Sequence, residues 1–447
     1  MTEFSIKGLT EQDVVALSAG YGEPDWLRDR RLEAYKAFAD LDWPHKRVEE
    51  WRRTDPARFD LERPVQTDSG EPPADVSRLL GSARDVAASI TVVDGGVHAA
   101  QLAPEAAAQG LVVTDFATAA VEHADVVREH LGSVVGAATK FDAYALAAFT
   151  GSVLVHVPAN VALADPIAVR IHVSRPGAVT PRVLIVLGNH AEAKVYVDHT
   201  GAADATVVEV VEVVAGAGAR ADLVTAQDWG DAVDHIGVHK GRVLRDARYR
   251  HLEVTLGGKT VYLRPDVKLD GEGADGELLG VYFTDAGQHV EHRSLIHHNA
   301  SHTTSESVYK GALQGRSRAV WYGNIRIEPH AKGTTSDETN RNLILTDGAR
   351  ADSIPFLEIL TSDVVGCGHH SSVGQLDEQH LFYLESRGIP RHQAVRMLVF
   401  GFFAEVTDRI DLPGVTETVL AEIEHEIEQG DLALMDPRRS ERAKAGV

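Results

Sequence analysis

The sequence predicts a mainly β protein whose core is a β-solenoid, with helical regions before and after it. Strand-like segments follow one another through residues 151–376, and no long helical pattern separates them. A short turn phrase recurs within the same region. Strands joined without helical crossovers favour a stacked coil over a doubly wound sheet. A sandwich of two stacked sheets is the alternative fold.

The first two regions precede this core. Residues 1–65 are predicted to be helical, because apolar positions after Pro24-Asp25-Trp26 recur at helical spacing. Residues 66–150 begin with a linker rich in Gly, Pro and Ser, which runs to about residue 77, and continue as a mixed α/β segment. The elements expected in that segment are a strand at Ile90–Val93 and alanine-rich helices near 116–131 and 138–149.

The β-helix core is assigned to residues 151–376. Apolar residues alternate with others from Ile167 to Val173, which is the period of a strand with one buried face. A short motif, in which a polar residue stands between small residues just before a strand, recurs in this region. It begins at Gly188, Gly216, Gly271, Gly315 and Gly348. Its irregular intervals fit coils of roughly 18–28 residues. The strand edges at the ends of such a stack must be capped or joined to a partner.

Residues 377–447 are predicted to form a C-terminal helical region. Asp377 is a suitable N-cap for its first helix, and Gly388 with Pro390 would end that helix. Two further helices are expected from apolar residues at a spacing of about 3.6. Their stripes comprise Val395, Leu398, Val399, Phe402, Phe403, Val406 and Ile410, and then Val419, Leu420, Ile423 and Ile427. These stripes are expected to pack on the core, with part of the surface available to a partner protein.

The composition argues against several classes of binding partner and against a membrane location. The formal net charge of −22 over 447 residues repels phosphate groups, which argues against nucleic acid and anionic membranes as partners. No apolar stretch approaches the roughly 20 residues that span a bilayer. The N-terminus lacks the basic and apolar segments of a signal peptide, so the expected location is the cytoplasm.

The chain contains one cysteine, Cys367. A single thiol excludes disulfide bonds within the chain. An iron–sulfur cluster usually takes about four thiolate ligands, so this chain alone cannot supply a full set. Cys367 and His369 are two residues apart near the end of the strand region and could project toward a common ion. Such a site would need a second chain to complete it, and a buried, inert thiol is the alternative.

Other candidate motifs are weak. Gly257-Gly258-Lys259-Thr260 resembles the tail of a phosphate-binding loop, but Glu253 stands where that loop needs a glycine. We therefore expect a hairpin turn there. The adjacent acids Asp337 and Glu338 are expected in a solvated turn rather than in a catalytic pair. The sequence shows no hydrolase triad and no paired glycosidase carboxylates.

Five histidines lie close together in the sequence. Imidazole is a common metal ligand, so a metal site is possible. His292, His298 and His302 share one parity on a strand, whereas His289 and His297 lie on the other. A solvated polar face of the solenoid is the favoured interpretation, with transient metal contact as the alternative.

Several phrases of this sequence resemble the SufB/SufD family of iron–sulfur cluster assembly scaffolds, in the same order and at the same spacing. The resemblance is densest from about residue 280 to residue 406 and extends to the N-terminus through Glu23-Pro24-Asp25-Trp26-Leu27 and Glu50-Trp51-Arg52-Arg53-Thr54. The matching core phrases are Ser307-Val308-Tyr309-Lys310-Gly311, Ser317-Arg318-Ala319-Val320-Trp321-Tyr322-Gly323, Thr339-Asn340-Arg341-Asn342-Leu343-Ile344-Leu345, Ile354-Pro355-Phe356-Leu357-Glu358-Ile359, Val373-Gly374-Gln375-Leu376-Asp377 and Leu381-Phe382-Tyr383-Leu384-Glu385-Ser386-Arg387-Gly388-Ile389.

This resemblance implies a right-handed parallel β-helix and a non-catalytic scaffold subunit that pairs with a SufB-like paralogue through the core. It also implies that a SufC-like ATPase docks on the C-terminal helices. The implied docking residues are Phe382, Tyr383, Leu384, Arg387, Val399, Phe402 and Phe403. A transient iron–sulfur cluster or iron at the subunit interface would be the cargo, with no stable cofactor of the chain's own. Flavin binding is left open.

Within the family, the sequence is most similar to the SufD-like branch. Cys367-Gly368-His369 takes the place of a Cys-Ser-His phrase, and the single cysteine points to the same branch. His369 then corresponds to a histidine that faces a SufB cysteine, which makes His369 and Cys367 the expected shared metal ligands. Two alternatives remain open: a β-helix carbohydrate-active enzyme, and a His-metal enzyme built on residues 289–302.

Overall fold

The computed structural model describes residues 9–68, 70–71, 86–409, 420–421 and 423–424. The helices are α1 (Glu11–Gly20), α2 (Asp25–Asp40), α3 (Pro104–Ala108), α4 (Phe116–Glu122), α5 (Ala124–His130), α6 (Lys140–Ala147), α7 (Glu378–Ser386) and α8 (Arg391–Thr407), with short 3-10 turns at Glu49–Trp51 and Pro56–Arg58. Much of the predicted linker, and Val419 and Ile427 of the last predicted helix, lie outside the described residues.

Twenty strands form the β portion of the described chain. They are β1 (Ala88–Val93), β2 (Gly96–Leu102), β3 (Val112–Asp115), β4 (Val153–Val157), β5 (Ile167–Val173), β6 (Gly177–Val179), β7 (Arg182–Leu187), β8 (Glu192–Gly201), β9 (Ala205–Ala215), β10 (Arg220–Trp229), β11 (Asp234–Val243), β12 (Arg248–Thr255), β13 (Thr260–Leu269), β14 (Asp275–Thr284), β15 (His289–His298), β16 (Thr304–Leu313), β17 (Arg318–Ile327), β18 (Thr334–Ile344), β19 (Arg350–Ile359) and β20 (Val364–Gln375).

The strands wind into a β-solenoid of about eight turns, which confirms the predicted fold. From β7 onward, successive strands alternate between two ten-stranded sheets. Each strand therefore pairs in parallel with the strand two further along the chain. A β-sandwich, the alternative considered from the sequence, is excluded by this winding. Asp234 pairs with Thr260 and Arg318 with Arg350, so a coil takes 26 to 32 residues, longer than most of the predicted range.

One corner of the solenoid repeats in every coil and carries the recurrent turn phrase at Gly188, Gly216 and Gly271. The phrases at Gly315 and Gly348 precede strands of the other sheet and so belong to a different corner. A residue in the left-handed region stands at the first of these corners each time: Asn160, His190, Gly218, Asp246, Gly273, His302 and Gly333. Each of these residues donates its backbone N–H to a carbonyl in the turn of the next coil. A Cβ on Gly218 would lie 2.4 Å from His190 Nδ1 of the preceding coil. The stacked corners therefore hold the coils in register.

The helices cover the outer faces of both sheets. The N-terminal helices and α6 pack on the sheet that contains β9, β11 and β13, where Trp51 stacks on Tyr262 with ring centroids 4.6 Å apart. Helix α8 packs on the other sheet, against outward-facing residues such as Leu252 and Val254. Because both faces of these strands are covered, their residues are buried on both sides, and the simple alternation of a half-exposed strand is lost.

The two ends of the solenoid differ. At the N-terminal end, β2 and β3 pair in antiparallel fashion with β1 and β4 and cap the two sheets. At the other end, β19 and β20 are the outermost strands, and no described strand pairs with their outer edges. None of the helices in the described part of the chain has the length and apolar content needed to cross a bilayer.

The expected hairpin at Gly257-Gly258-Lys259-Thr260 is wrong. Strand β12 before it and strand β13 after it belong to different sheets, so the segment is a corner between coils. Lys259 Nζ lies 3.4 Å from Asp234 Oδ2 of the preceding coil, where the pair joins two neighbouring coils.

Candidate functional site

The candidate site lies at the open end of the solenoid, on the last two strands of one sheet. Side chains of even-numbered residues in β18 are buried inside the coil, including Ser336 and Glu338. Strand β20 pairs with β18 in parallel, which places Cys367 beside Ser336 and His369 beside Glu338. Because successive residues of a strand point to opposite faces, Cys367 and His369 share one face of β20. The structure therefore places the side chains of Cys367 and His369 on the same face of β20, and metal binding by the two stays a prediction.

Cys367 and His369 differ in their surroundings. The Cys367 thiol is half-buried and packs against the main apolar core. Burial, and to a smaller extent the nearby acidic groups of Glu338 and Asp337, raises the pKa of Cys367 to about 11. The thiol of the isolated chain is therefore protonated at neutral pH. His369 is exposed at the edge strand, where a second molecule can reach it.

Glu338 is a site residue that the sequence interpretation missed. It was expected in a solvated turn, but it lies in the middle of β18 and is 1% exposed. Burial raises the pKa of Glu338 to about 8. Its Oε1 atom has no hydrogen-bond partner among the described residues. The expectation was wrong because strand alternation turns Glu338 inward while its neighbour Asp337 faces outward, toward His370 at 3.5 Å.

The predicted solvated face of histidines is also wrong for three of its five members. His289, His292 and His298 are buried, whereas His302 is exposed and His297 is half-buried. His292 and His298 do share a face, but that face is the interior of the solenoid. The buried rings bond to different partners, among them Thr54, Thr255 and Thr303. The five imidazoles therefore do not converge on a common point, which removes support for a metal enzyme built on residues 289–302.

A second set of polar groups lies deeper in the solenoid and was not predicted. The buried carboxylates of Glu209 and Glu253 are surrounded by imidazoles from both sheets. These imidazoles belong to His199, His235, His239, His251 and His292. Glu253 had been noted only as the residue that breaks a phosphate-binding loop. In β11 and β12 these side chains all belong to odd-numbered residues, which point into the solenoid. That shared alternation is the sequence signal that could have revealed the set.

The predicted docking residues of the C-terminal helices divide into two groups. Phe382 and Tyr383 on α7 are 72% and 57% exposed, and Arg387 lies over the Tyr383 ring. Leu384 and Phe402 are half-buried. Val399 and Phe403 are fully buried in the contact between α8 and the solenoid. The last two residues cannot contact a partner while α8 stays packed, so their placement in a docking surface is corrected.

Fold and site together define a class: a parallel β-solenoid, capped at one end, with a thiol and an imidazole at the open edge of the other. A family model described as "SUF system FeS cluster assembly, SufBD core domain" matches residues 170–402. A second model, "SufBD protein N-terminal region", matches residues 19–169. The chain belongs to the SufBD family of the SUF system for iron–sulfur cluster assembly.

Individual relatives carry the same family name, iron–sulfur cluster assembly SufBD family protein. One from Mycobacterium leprae is 42% identical over 293 residues, which cover 64% of this chain and 74% of that protein. One from Mycobacterium tuberculosis is 43% identical over 294 residues with the same coverage. A third, from Staphylococcus epidermidis, is 26% identical over 436 residues and covers 92% of both chains.

Proposed function

We propose that this chain is a SufD-like scaffold subunit of the SUF iron–sulfur cluster assembly complex. In this proposal it pairs with a SufB-like paralogue through the open end of the solenoid and with a SufC-like ATPase through its C-terminal helices. Family membership supports the general function. The observation that carries the specific role is the position of Cys367 and His369 together on the edge strand β20, whose outer side pairs with no described strand.

An incomplete ligand set supports sharing of the site between two chains. One thiol and one imidazole leave an iron ion or a nascent cluster with open positions, since clusters usually take about four protein ligands. No strand in the described part of the chain pairs with the outer edge of β20, so its backbone groups can accept a strand from a second solenoid. A partner that added such a strand would bring its own side chains against Cys367 and His369. Iron and sulfide are then the cargo held between the two chains.

Replacement of His369 by alanine should leave assembly of the protein complex intact while impairing assembly of the iron–sulfur cluster. We expect His369→Ala to leave the complex intact, because the side chain is exposed and its removal creates no cavity. Loss of one ligand should lower the activity of iron–sulfur enzymes in cells by about tenfold or more. The measurement is aconitase-type activity in cells that depend on this pathway.

The matched control is His370→Ala, which removes the adjacent imidazole from the opposite face of β20. His370 lies 3.5 Å from Asp337 and does not share the face of Cys367. Activity should stay near the wild-type level in this variant. Equal activity in His369→Ala and wild type would remove His369 from the mechanism.

The second proposed contact is between the ATPase and the exposed surface of α7. Phe382 and Tyr383 present exposed aromatic rings, and Arg387 adds a positive charge over the ring of Tyr383. Exposed aromatic and arginine side chains are the types that dominate protein interfaces. We expect Phe382→Asp combined with Arg387→Glu to weaken ATPase binding by about tenfold or more, because the change removes apolar contact and reverses a charge.

Co-purification of the full chain with its partners measures this effect. The expected result is loss of the P-loop ATPase from the eluate with retention of the cysteine-richer paralogue. Val121→Asp, at a residue 67% exposed on α4, is the control and should retain both. Retention of the ATPase by the α7 variant would place its docking surface elsewhere, and a wild-type chain that purifies without either partner would overturn the scaffold proposal.

A further inference from the structure

A group of metal-ligand side chains is enclosed inside the solenoid, four strand positions before the open edge β20 in the same sheet. His239 enters this group from β11, and His251 and Glu253 enter from β12 in the opposite sheet. All three are buried, and one ligand atom from each lies within 4.8 Å of the others. The group is therefore separate from the Cys367 and His369 site in both sequence and sheet position.

The distances suit a single ion between the two sheets. His239 Nδ1 lies 3.2 Å from Glu253 Oε1. Two ligands of a tetrahedral ion with bonds of about 2.1 Å lie roughly 3.4 Å apart, so these atoms are already near the required separation. The rings of His239 and His251 have centroids 5.5 Å apart, at a steep angle of 65°. Because one ligand atom of each residue lies within 4.8 Å of the others, small side-chain shifts would bring all three to one ion.

The outer atoms of the same residues are held as metal ligands usually are. Ligating histidines commonly hydrogen-bond through their other ring nitrogen to a carboxylate or another polar group. His239 Nε2 lies 3.1 Å from Glu209 Oε2, and His251 Nε2 lies 2.8 Å from Thr225 Oγ1. The second carboxylate oxygen of Glu253, Oε2, accepts a hydrogen bond from the Tyr309 hydroxyl at 3.4 Å. These contacts leave Glu253 Oε1, His239 Nδ1 and His251 Nδ1 as the atoms that could bind an ion.

One of those remaining nitrogens has no partner. His251 Nδ1 is buried and makes no hydrogen bond with any described residue. A buried polar atom without a partner costs about 1–3 kcal/mol, so native proteins rarely keep one without a reason. Glu209 and Glu253 also place two carboxylates in the same closed interior. Imidazoles pair with both carboxylates, and the His239 ring bridges them through its two nitrogens. A bound cation would replace the proton between His239 Nδ1 and Glu253 Oε1 and give His251 Nδ1 a partner.

We propose that His239, His251 and Glu253 bind one divalent transition-metal ion of the Zn²⁺ or Fe²⁺ class as a structural ion inside the solenoid. Two imidazoles and one carboxylate are a ligand set typical of these ions, whereas Ca²⁺ and Mg²⁺ prefer oxygen ligands alone. The ion links β11 of one sheet to β12 of the other. Because the site is closed, it is loaded as the coils assemble and exchanges slowly afterwards.

Zinc content of the isolated full chain tests the proposal. The chain is refolded with ZnSO₄, dialysed against a chelator and analysed by mass spectrometry for bound zinc. We expect about one zinc per chain, and an X-ray absorption spectrum that shows nitrogen and oxygen neighbours without sulfur. Substoichiometric zinc after refolding, or sulfur in the first coordination shell, would overturn the proposal.

Variants locate the ion. His251→Asn and Glu253→Gln should lose the zinc, while the control His298→Asn, at another buried histidine of the solenoid interior, should keep it. The double variant Cys367→Ser, His369→Ala should also keep it, which separates this site from the open end and from the scaffold proposal. Loss of zinc from the double variant would contradict the proposal even if His251→Asn failed to fold.

Discussion

Replacement of Glu212 by alanine is expected to lower the free energy of unfolding by about 3–5 kcal/mol. Glu212 and Arg182 are both fully buried, and their charged atoms approach to 2.6 Å. The Glu212 carboxylate also accepts backbone hydrogen bonds from Gly132, Val134 and Val135. The variant would leave a buried guanidinium without its counter-ion and three backbone N–H groups without an acceptor.

Urea unfolding of the full chain measures this loss. The matched control is Glu192→Ala, which breaks an exposed pair with Arg220 at 3.5 Å. Exposed ion pairs contribute about 0–1 kcal/mol, so the control should remain close to wild type. A similarly small loss of unfolding free energy in both variants would show that Glu212 does not anchor the segment after α5 to the solenoid.

Acid should destabilise the protein through its buried histidines. Burial lowers the pKa of His298 to about 3 and that of His289 to about 4. In the unfolded chain these groups take up a proton near pH 6.5. Between those values the unfolded state binds more protons than the folded state, so stability falls as the pH drops below about 6.5. At pH 5 each of the two histidines should lower the free energy of unfolding by about 2 kcal/mol.

Comparison of urea unfolding at pH 7.5 and pH 5 isolates one of these contributions. His298→Asn removes the titrating ring and keeps a polar group near Thr303, to which His298 Nδ1 bonds at 2.7 Å. The stability lost between the two pH values should then be smaller by about 2 kcal/mol than in wild type. His302→Asn, at an exposed histidine, should leave the loss unchanged. If both variants lost as much stability as wild type, His298 would not contribute to acid sensitivity.

The sequence predicted the solenoid because strands and corner turns are local features. The spacing of the corner phrase looked irregular because Gly315 and Gly348 lie at a different corner from Gly188, Gly216 and Gly271. In addition, glycine fills only some of the left-handed positions. The same positive-φ conformation is adopted by His190, Asp246 and His302. Their residue types did not identify them as turn positions in the sequence. Coil length was underestimated because the interval between Gly271 and Gly315 joins two different corners and does not span a whole number of coils.

The candidate site was predictable only in part. Cys367 and His369 were found through a phrase shared with a known family, and their common face followed from strand alternation. Glu338 and the interior histidines were missed because alternation does not tell which face is inside. Where helices cover a sheet, outward residues such as Leu252 are as apolar and as buried as inward ones, so polarity along the strand does not separate the two faces.

The difference between the two ends of the solenoid also limits how many chains can join edge to edge. A stack with two free edges could add further copies indefinitely and would polymerise into a fibre. Here the strands at one terminus, β2 and β3, run antiparallel to their neighbours, so a second solenoid could not continue the parallel winding from them. Among the described strands, β19 and β20 are the terminal ones that run parallel to their neighbours. In the proposed scaffold complex, this asymmetry favours a pair of joined solenoids over a fibre.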